Sequence, residues 1–146
     1  MISMIACMSK NRVIGKDNKL PRTNKEDMKH FVDITSGHCV VMWDNTFKSI
    51  GKPLSGRRNV VLTKNNYPEV ECYDNIEDVM KNCKDFIVIW GQSVYEQFLP
   101  FTDYIYLTVL MEEYEGDRHM PFFEDKFEVV KREWKDNLVF VEFKKK

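Results

Sequence analysis

Short apolar runs alternate with amphipathic stretches along most of the chain. The apolar runs have the length and residue types of buried strands. They lie at residues 2–8, 39–42, 59–63, 71–73, 86–89 and 104–109. The stretches between them predict four helices, at residues 23–36, 45–50, 75–83 and 93–99. Thr23 and Glu26 have the spacing of a capping box, and Pro100 is expected to end the last helix.

The C-terminal part has a different pattern. Two strand-like runs, residues 127–134 and 138–143, are separated by three polar residues, 135–137. This spacing predicts an antiparallel hairpin that closes one edge of a sheet. Together with the alternation upstream, it predicts a three-layer α/β fold: a mainly parallel, twisted sheet with helices on both faces. The 146 residues are expected to form a single domain.

Polar and aromatic pairs directly follow three of the predicted strands. These pairs are Trp43-Asp44, Lys64-Asn65 and Trp90-Gly91. Ligands of open parallel sheets bind outside the carboxyl ends of the strands. We therefore expect these pairs to gather on one rim and to form the ligand-binding end of the molecule.

Composition excludes several classes of partner. The 22 basic and 23 acidic residues give a net charge of -1, so no basic excess favours nucleic acid. No run approaches membrane-spanning length, and the N-terminal run is too short for a signal sequence. The three histidines lack metal-site spacing, and the four cysteines, Cys7, Cys39, Cys72 and Cys83, are interpreted as buried reduced thiols. We expect a cytoplasmic monomer without a metal.

Asp27 is the first candidate for chemistry. On a helix it lies one turn from Phe31 and next to Met28, at the border of the apolar stripe. Desolvation there would raise its pKa, which suits a proton donor or an anchor for a cationic heterocycle. The alternative is an ordinary acid in the first helical turn, favoured by the helix dipole.

A set of motifs resembles the dihydrofolate reductase family at matching spacings. The motifs are MISMIA, NRVIGKDNKLP, EDMKHF, ITSG, VVM, NTFKSIGKPLSGRRNVVLT, VYEQFLP, YLT and EGD. The resemblance implies NADPH-dependent hydride transfer to dihydrofolate. It also implies a sheet of about eight strands, closed by the C-terminal hairpin inferred above.

On the folate side, the resemblance implies a nearly complete pocket. Asp27 matches the acid that holds the pterin ring and assists its protonation, and Arg57 matches the partner of the α-carboxylate. An arginine fork also suits a carboxylate on chemical grounds. The other implied substrate-binding residues are Cys7, Met28, Phe31, Ile50, Leu54 and Thr108. Taken without the resemblance, the apolar members would suit an ordinary core.

On the cofactor side, this chain departs from the family pattern. The implied positions are Ile14, Trp43, Asp44, Asn45, Thr46, Trp90, Gly91, Gln92 and Tyr95. Trp43 and Asp44 stand where the family has a glycine and a basic residue near the cofactor phosphates. Loss of a charge-assisted contact weakens binding by about 1.5–3 kcal/mol, or roughly ten- to a few hundredfold, and repulsion by Asp44 adds to that.

The turn at Trp90-Gly91-Gln92 is a second departure, because the family has a cis glycine pair followed by a small residue. A cis bond before Gly91 costs about 2.5–4 kcal/mol, so we expect the turn to be rebuilt or strained. In the family's active-site loop, Leu20 and Pro21 are kept. Arg22, Thr23 and Lys25 replace the tryptophan and proline pattern.

Two bulky indoles in place of two glycines suggest a filled cleft. We hypothesise that Trp43 and Trp90 occupy the cofactor groove and stack on each other. The alternative is that they are exposed and form a contact patch for a protein partner.

Three functions follow from these alternatives. The first is a non-catalytic or weakened homologue that binds a folate-like molecule or a protein. The second is an active NADPH-dependent dihydrofolate reductase in tetrahydrofolate biosynthesis. The third is a related reductase that uses another substrate or a flavin.

Overall fold

The computed structural model describes residues 1–15 and 25–146. The strands of the described part are β1 Ile2–Ser9, β2 Val13–Gly15, β3 Cys39–Trp43, β4 Arg58–Leu62, β5 Glu71–Tyr73, β6 Phe86–Ile89, β7 Tyr104–Leu110, β8 Arg118–His119, β9 Phe127–Trp134 and β10 Leu138–Lys145. The helices are α1 Lys25–Thr35, α2 Asp44–Ile50, α3 Ile76–Asn82 and α4 Gln92–Phe98. None of these helices is long and apolar enough to cross a membrane.

Eight of the strands form one twisted sheet in the order β5-β4-β3-β6-β1-β7-β10-β9. The six strands from β5 to β7 are parallel. Strand β10 runs antiparallel to both β7 and β9. The predicted mainly parallel sheet and its edge hairpin are therefore confirmed. A second sheet pairs β2, of three residues, with β8, of two residues. Both strands are too short to give a periodic signal in the sequence.

The two faces of the sheet are covered by different helices. Helices α3 and α4 bury Val79, Tyr95 and Phe98 against one face. Helices α1 and α2 bury Phe31 and Phe47 against the other face. Neighbouring residues of a strand point to opposite faces, so each central strand contributes to both layers. The three-layer prediction is confirmed.

The helix ends follow from local chemistry, with one correction. Helix α2 ends at Gly51, whose φ of 82° suits a residue without Cβ. Asn75 caps α3 by accepting a hydrogen bond from the backbone N–H of Asp78 at 2.8 Å. The prediction that Pro100 ends the last helix is wrong. Pro100 lies within a 3-10 turn, Leu99–Phe101, that continues α4. Proline is tolerated at such a start because its missing N–H has no helical partner there.

Some sequence predictions lie outside the described residues. They concern the capping residue Thr23 and the loop positions Leu20, Pro21 and Arg22. Lys25 is described and is the exposed first residue of α1.

All four cysteines are free. The prediction that they are buried is wrong for Cys7, Cys39 and Cys72, which are only half-buried. Cys7 packs beside a small satellite cluster instead of the main core, and Cys39 is the first residue of its strand. Cys83 at the end of α3 is the buried thiol.

Candidate active site

The carboxyl ends of three parallel strands meet on one rim, as the sequence predicts. The hydroxyl of Thr46 donates to the backbone carbonyl of Trp90 at 2.8 Å, which joins the ends of β3 and β6. The amide of Asn65 donates to Asp44 at 3.3 Å, which joins the ends of β3 and β4. The residue pairs after these strands therefore form one continuous surface.

Asp27 lies over a pair of polar side chains in the sheet. Cys7 in β1 and Thr108 in β7 are aligned partners across the parallel ladder. Burial has the largest influence on Asp27 and raises its pKa. Hydrogen bonds with Thr108 and Cys7 and the charge of His30 oppose this without cancelling it. The carboxyl therefore keeps a proton to higher pH than an exposed aspartate does, which agrees with the direction predicted from its helical position.

Four apolar side chains that the sequence predicts as pocket walls share one cluster on the α1 and α2 face of the sheet. Phe31 is buried, and Met28, Ile50 and Leu54 are half-buried against the same cluster. The sequence predicted these residues either as pocket walls or as ordinary core. Met28, Ile50 and Leu54 are only half-buried, so these three lie at the boundary of the core.

Arg57 is oriented by its own neighbours. Its Nε donates to the hydroxyl of Thr35 at 2.9 Å, and its Nη1 donates to the backbone carbonyl of Ser55 at 2.9 Å. Its Cζ lies 5.8 Å from the centre of the Phe31 ring, within cation–π range. These contacts hold the guanidinium beside the pocket wall. Thr35, which is fully buried at the end of α1, is a site residue that sequence reasoning missed.

Asn59 fixes the loop that carries Leu54 and Arg57. Its Oδ1 accepts a hydrogen bond from the Leu54 N–H at 2.8 Å. Its Nδ2 donates to the carbonyls of Leu54 at 2.9 Å and Arg57 at 3.0 Å. Sequence reasoning missed this role. The available signal was a polar asparagine directly before the apolar run of residues 60–62.

The Trp90 side chain lies on the α1 and α2 face of the sheet, where the sequence predicts the folate pocket. Its ring stacks on Phe31 with a centroid distance of 4.7 Å and an interplanar angle of 20°. It packs against the same cluster as Met28 and Leu54. The predicted stacking of Trp43 on Trp90 is wrong, because Trp43 packs against the cluster on the opposite face. Strand alternation explains this, since the preceding residue, Met42, points toward the Phe31 side.

Neither indole is exposed. Trp43 and Trp90 are both half-buried, so little of either ring is available as a contact patch. The alternative of a surface-exposed aromatic pair is therefore wrong for the described structure.

The turn after β6 is rebuilt. No peptide bond among the described residues is cis. Trp90 instead has a φ of 38°, in the left-handed region that non-glycine residues rarely adopt, and Gly91 has a φ of 135°. A left-handed residue other than glycine is strained by about 1–3 kcal/mol. This strain is held in place by the Thr46 hydrogen bond and by the contact with Phe31.

Asp44 is a fixed negative charge on the rim. Its Oδ1 accepts hydrogen bonds from the hydroxyls of Tyr67 at 2.6 Å and Thr63 at 2.7 Å. Lys48 lies 3.1 Å from its Oδ2. Burial alone would raise the pKa of Asp44, but the donors around the carboxylate hold it well below its usual range. The carboxylate therefore stays ionised to lower pH than an exposed aspartate does.

The remaining predicted cofactor positions are largely engaged within the protein. Ile14 and Tyr95 are buried, and the Tyr95 hydroxyl donates to the carbonyl of Ile5 at 2.7 Å. The Gln92 Oε1 accepts a hydrogen bond from the backbone N–H of His119 at 2.7 Å, which ties α4 to β8. Asn45 is the exposed member of the group.

The described residues define a three-layer α/β protein in which the helix that carries Asp27 also contributes apolar side chains to one face of the sheet. A family model described as dihydrofolate reductase matches residues 1–143. The dihydrofolate reductase of Bacillus subtilis is 40% identical over 131 residues, which cover 86% of this chain and 78% of that protein. Dihydrofolate reductase type 3 of Salmonella typhimurium is 39% identical over 127 residues, which cover 83% of this chain and 78% of that protein.

A solved structure agrees with these sequence matches. Dihydrofolate reductase from Enterococcus faecalis, complexed with NADP(H) and RAB-propyl, superimposes with a TM-score of 0.91 at 25% identity. The match covers 99% of this chain and 96% of the other. The chain belongs to the dihydrofolate reductase family, as its motifs predicted.

The raised pKa of Asp27 gives a stability prediction. The folded protein favours the protonated carboxyl, so folding is penalised as the pH rises above the ordinary value of 3.8 and toward the folded-state pKa. We expect Asp27→Asn to raise the melting temperature at pH 7, with a gain that shrinks toward pH 3.5. Asp33→Asn, which changes an exposed acid on the same helix, is the control. An equal gain at both pH values would contradict the account.

The contacts of Asn59 give a second prediction. Asn59→Ala removes hydrogen bonds that satisfy the backbone of Leu54, so it should lower the free energy of unfolding by about 1–3 kcal/mol. Urea denaturation measures this change. The exposed Asn66→Ala is the matched control and should stay within about 0.5 kcal/mol of the wild type. A similar small effect at Asn59 would show that the loop does not depend on it.

Proposed function

We propose that this protein is a dihydrofolate reductase homologue in which NADPH-dependent reduction of dihydrofolate to tetrahydrofolate is weak or lost. Its remaining role is to bind a folate-like molecule. The observation that carries this proposal is the stack of Trp90 on Phe31 at 4.7 Å. An indole in that position occupies space that a ring ligand and the reactive ring of a cofactor would need.

The charge of the rim supports the same proposal. NADPH carries phosphate groups, and an ionised Asp44 repels them. The carboxylate is held by Tyr67, Thr63 and Lys48, so it is not free to turn away from an approaching anion. The residues present therefore do not fit NADPH at this position.

The folate side retains more of its chemistry. The pKa of Asp27 is raised, and its carboxyl makes hydrogen bonds with Thr108 and Cys7. Arg57 is held beside Phe31. A flat heterocycle with a carboxylate tail has a partner for each end. Such a ligand must displace the indole of Trp90 from Phe31 or stack on its outer face.

Ordinary catalysis is the second candidate function. Family membership favours it, and so does the presence of Asp27 and Arg57 in the expected places. It requires the indole to leave Phe31 and the cofactor to bind despite Asp44. We also propose that the chain acts as a monomeric single domain in the cytoplasm, where a reducing environment suits its four free cysteines.

NADPH titration tests the cofactor part of the proposal. A Trp134→Phe background removes the exposed third indole, so emission then reports Trp43 and Trp90. We expect no saturable binding up to about 1 mM cofactor, equivalent to a binding free energy weaker than about -4 kcal/mol. The variant with Trp43→Gly, Asp44→Arg and Trp90→Gly lacks these two reporters, so its NADPH binding is measured by calorimetry and should be restored to micromolar affinity. Saturation of the unreverted protein at micromolar NADPH would contradict the proposal.

Methotrexate titration by calorimetry, without NADPH, tests the folate part. We expect saturable binding that Asp27→Asn weakens at least about tenfold, because a charge-assisted contact of about 1.5–3 kcal/mol is lost. Asp33→Asn is the control on the same helix. Absence of binding to the unmodified protein would show that the indole closes the folate side as well.

A further inference from the structure

Four side chains form a row across the sheet beneath α1. Cys7 in β1 is aligned with Thr108 in β7. Thr108 is aligned with Phe140 in β10, and Phe140 with Glu133 in β9. The row therefore changes from polar to aromatic to acidic along one line perpendicular to the strands.

Helix α1 places two titratable residues over this row. Asp27 makes hydrogen bonds with the side chains of Thr108 and Cys7. His30, three residues further along the helix, stacks on Phe140 with a centroid distance of 4.0 Å and an interplanar angle of 18°. Residues three apart lie on the same side of a helix, with Cβ atoms about 5–6 Å apart. The flat stack holds the imidazole at a fixed place near the carboxyl.

The charged groups around His30 come from three elements. They are Asp27 and Asp33 in α1, Glu133 in β9 and Glu142 in β10. The Nζ of Lys131 lies 3.9 Å from the Oε2 of Glu142, and the Nζ of Lys135 lies 3.0 Å from the Oε1 of Glu133. Those lysines partly neutralise the two glutamates. Among the four carboxylates, Asp27 has the strongest influence on the imidazole.

We propose that His30 is a positioning residue for Asp27, and that the two side chains form one coupled proton site on the folate side of the pocket. When the imidazole is protonated, its charge favours the carboxylate; when it is neutral, the carboxyl keeps its proton more readily. The acid that faces a bound heterocycle then titrates as one member of a pair. The functional meaning rests on the proposed folate-side role of Asp27.

The pKa of Asp27 is raised and the pKa of His30 is lowered, so the two groups titrate closer together in pH. Burial is the largest influence on His30 and lowers its pKa, against the nearby carboxylates that raise it. Burial likewise dominates at Asp27 and raises its pKa. An acid whose pKa is raised and a base whose pKa is lowered titrate closer together in pH than the free groups do, which favours coupled titration.

The test is a carbon-13 NMR titration of the Asp27 carboxyl carbon in the free protein, assigned with Asp27→Asn. His30→Phe keeps a flat ring over Phe140 without a charge, and His30→Gln is polar and uncharged. Both variants should raise the apparent pKa of Asp27, by about half a pH unit or more. By thermodynamic linkage, Asp27→Asn should lower the pKa of His30 by the same amount.

The outcomes separate charge from packing. A rise in His30→Phe alone would overturn the proposal, because it would assign the effect to desolvation. No change in either variant, or unequal reciprocal shifts, would also overturn it. Amide spectra of each variant establish that it is folded, and Asp33→Asn, which acts on His30 more weakly than Asp27 does, should shift the Asp27 titration less than either His30 variant. No ligand takes part, so failure here is independent of the NADPH and methotrexate results.

Discussion

The contact between Trp90 and Phe31 is the constraint on which the site depends. It holds a half-buried indole against the wall next to Asp27, and it accompanies a left-handed backbone at Trp90. The hydrogen bond from Thr46 to the Trp90 carbonyl ties this turn to the start of α2. Trp90 thereby links the end of β6 and the start of α2 to α1, the helix that carries Asp27. Any ligand that needs the Phe31 face must first disturb this arrangement.

The two halves of the site have opposite chemistry. One half contains a protonatable acid and an oriented arginine, which suit a heterocycle with a carboxylate tail. The other half contains Asp44, held as an anion by neighbouring donors, where the family resemblance implies a basic residue. A two-substrate reduction requires both halves to be occupied at once. A binding role requires only the first half, so the retained and altered residues are consistent with the same proposal.

The sequence predicted the sheet, its edge hairpin and the family, because these depend on local periodicity and on many motifs together. It predicted less well where the outcome depends on which strand face a side chain occupies. Trp43 is the last residue of β3 and Trp90 directly follows β6. Trp43 nevertheless packs on the α3 and α4 face of the sheet, and Trp90 packs on the other face. Contacts of Asn59 and Tyr67 depend on loop paths that no periodic pattern encodes. The alternation of β3, in which Met42 points toward Phe31, was the one available signal for the position of Trp43.

The most direct test of the central claim is the kcat/KM for dihydrofolate-dependent NADPH oxidation, compared between the unmodified protein and the variant with Trp43→Gly, Asp44→Arg and Trp90→Gly. If the indole on Phe31 and the charge of Asp44 block the reaction, the variant should be at least about 100-fold more active, since two such obstacles amount to roughly 3 kcal/mol or more of transition-state stabilisation. Equal values, at the level of an efficient enzyme, would show that Trp90 leaves Phe31 readily and that this protein is an ordinary catalyst.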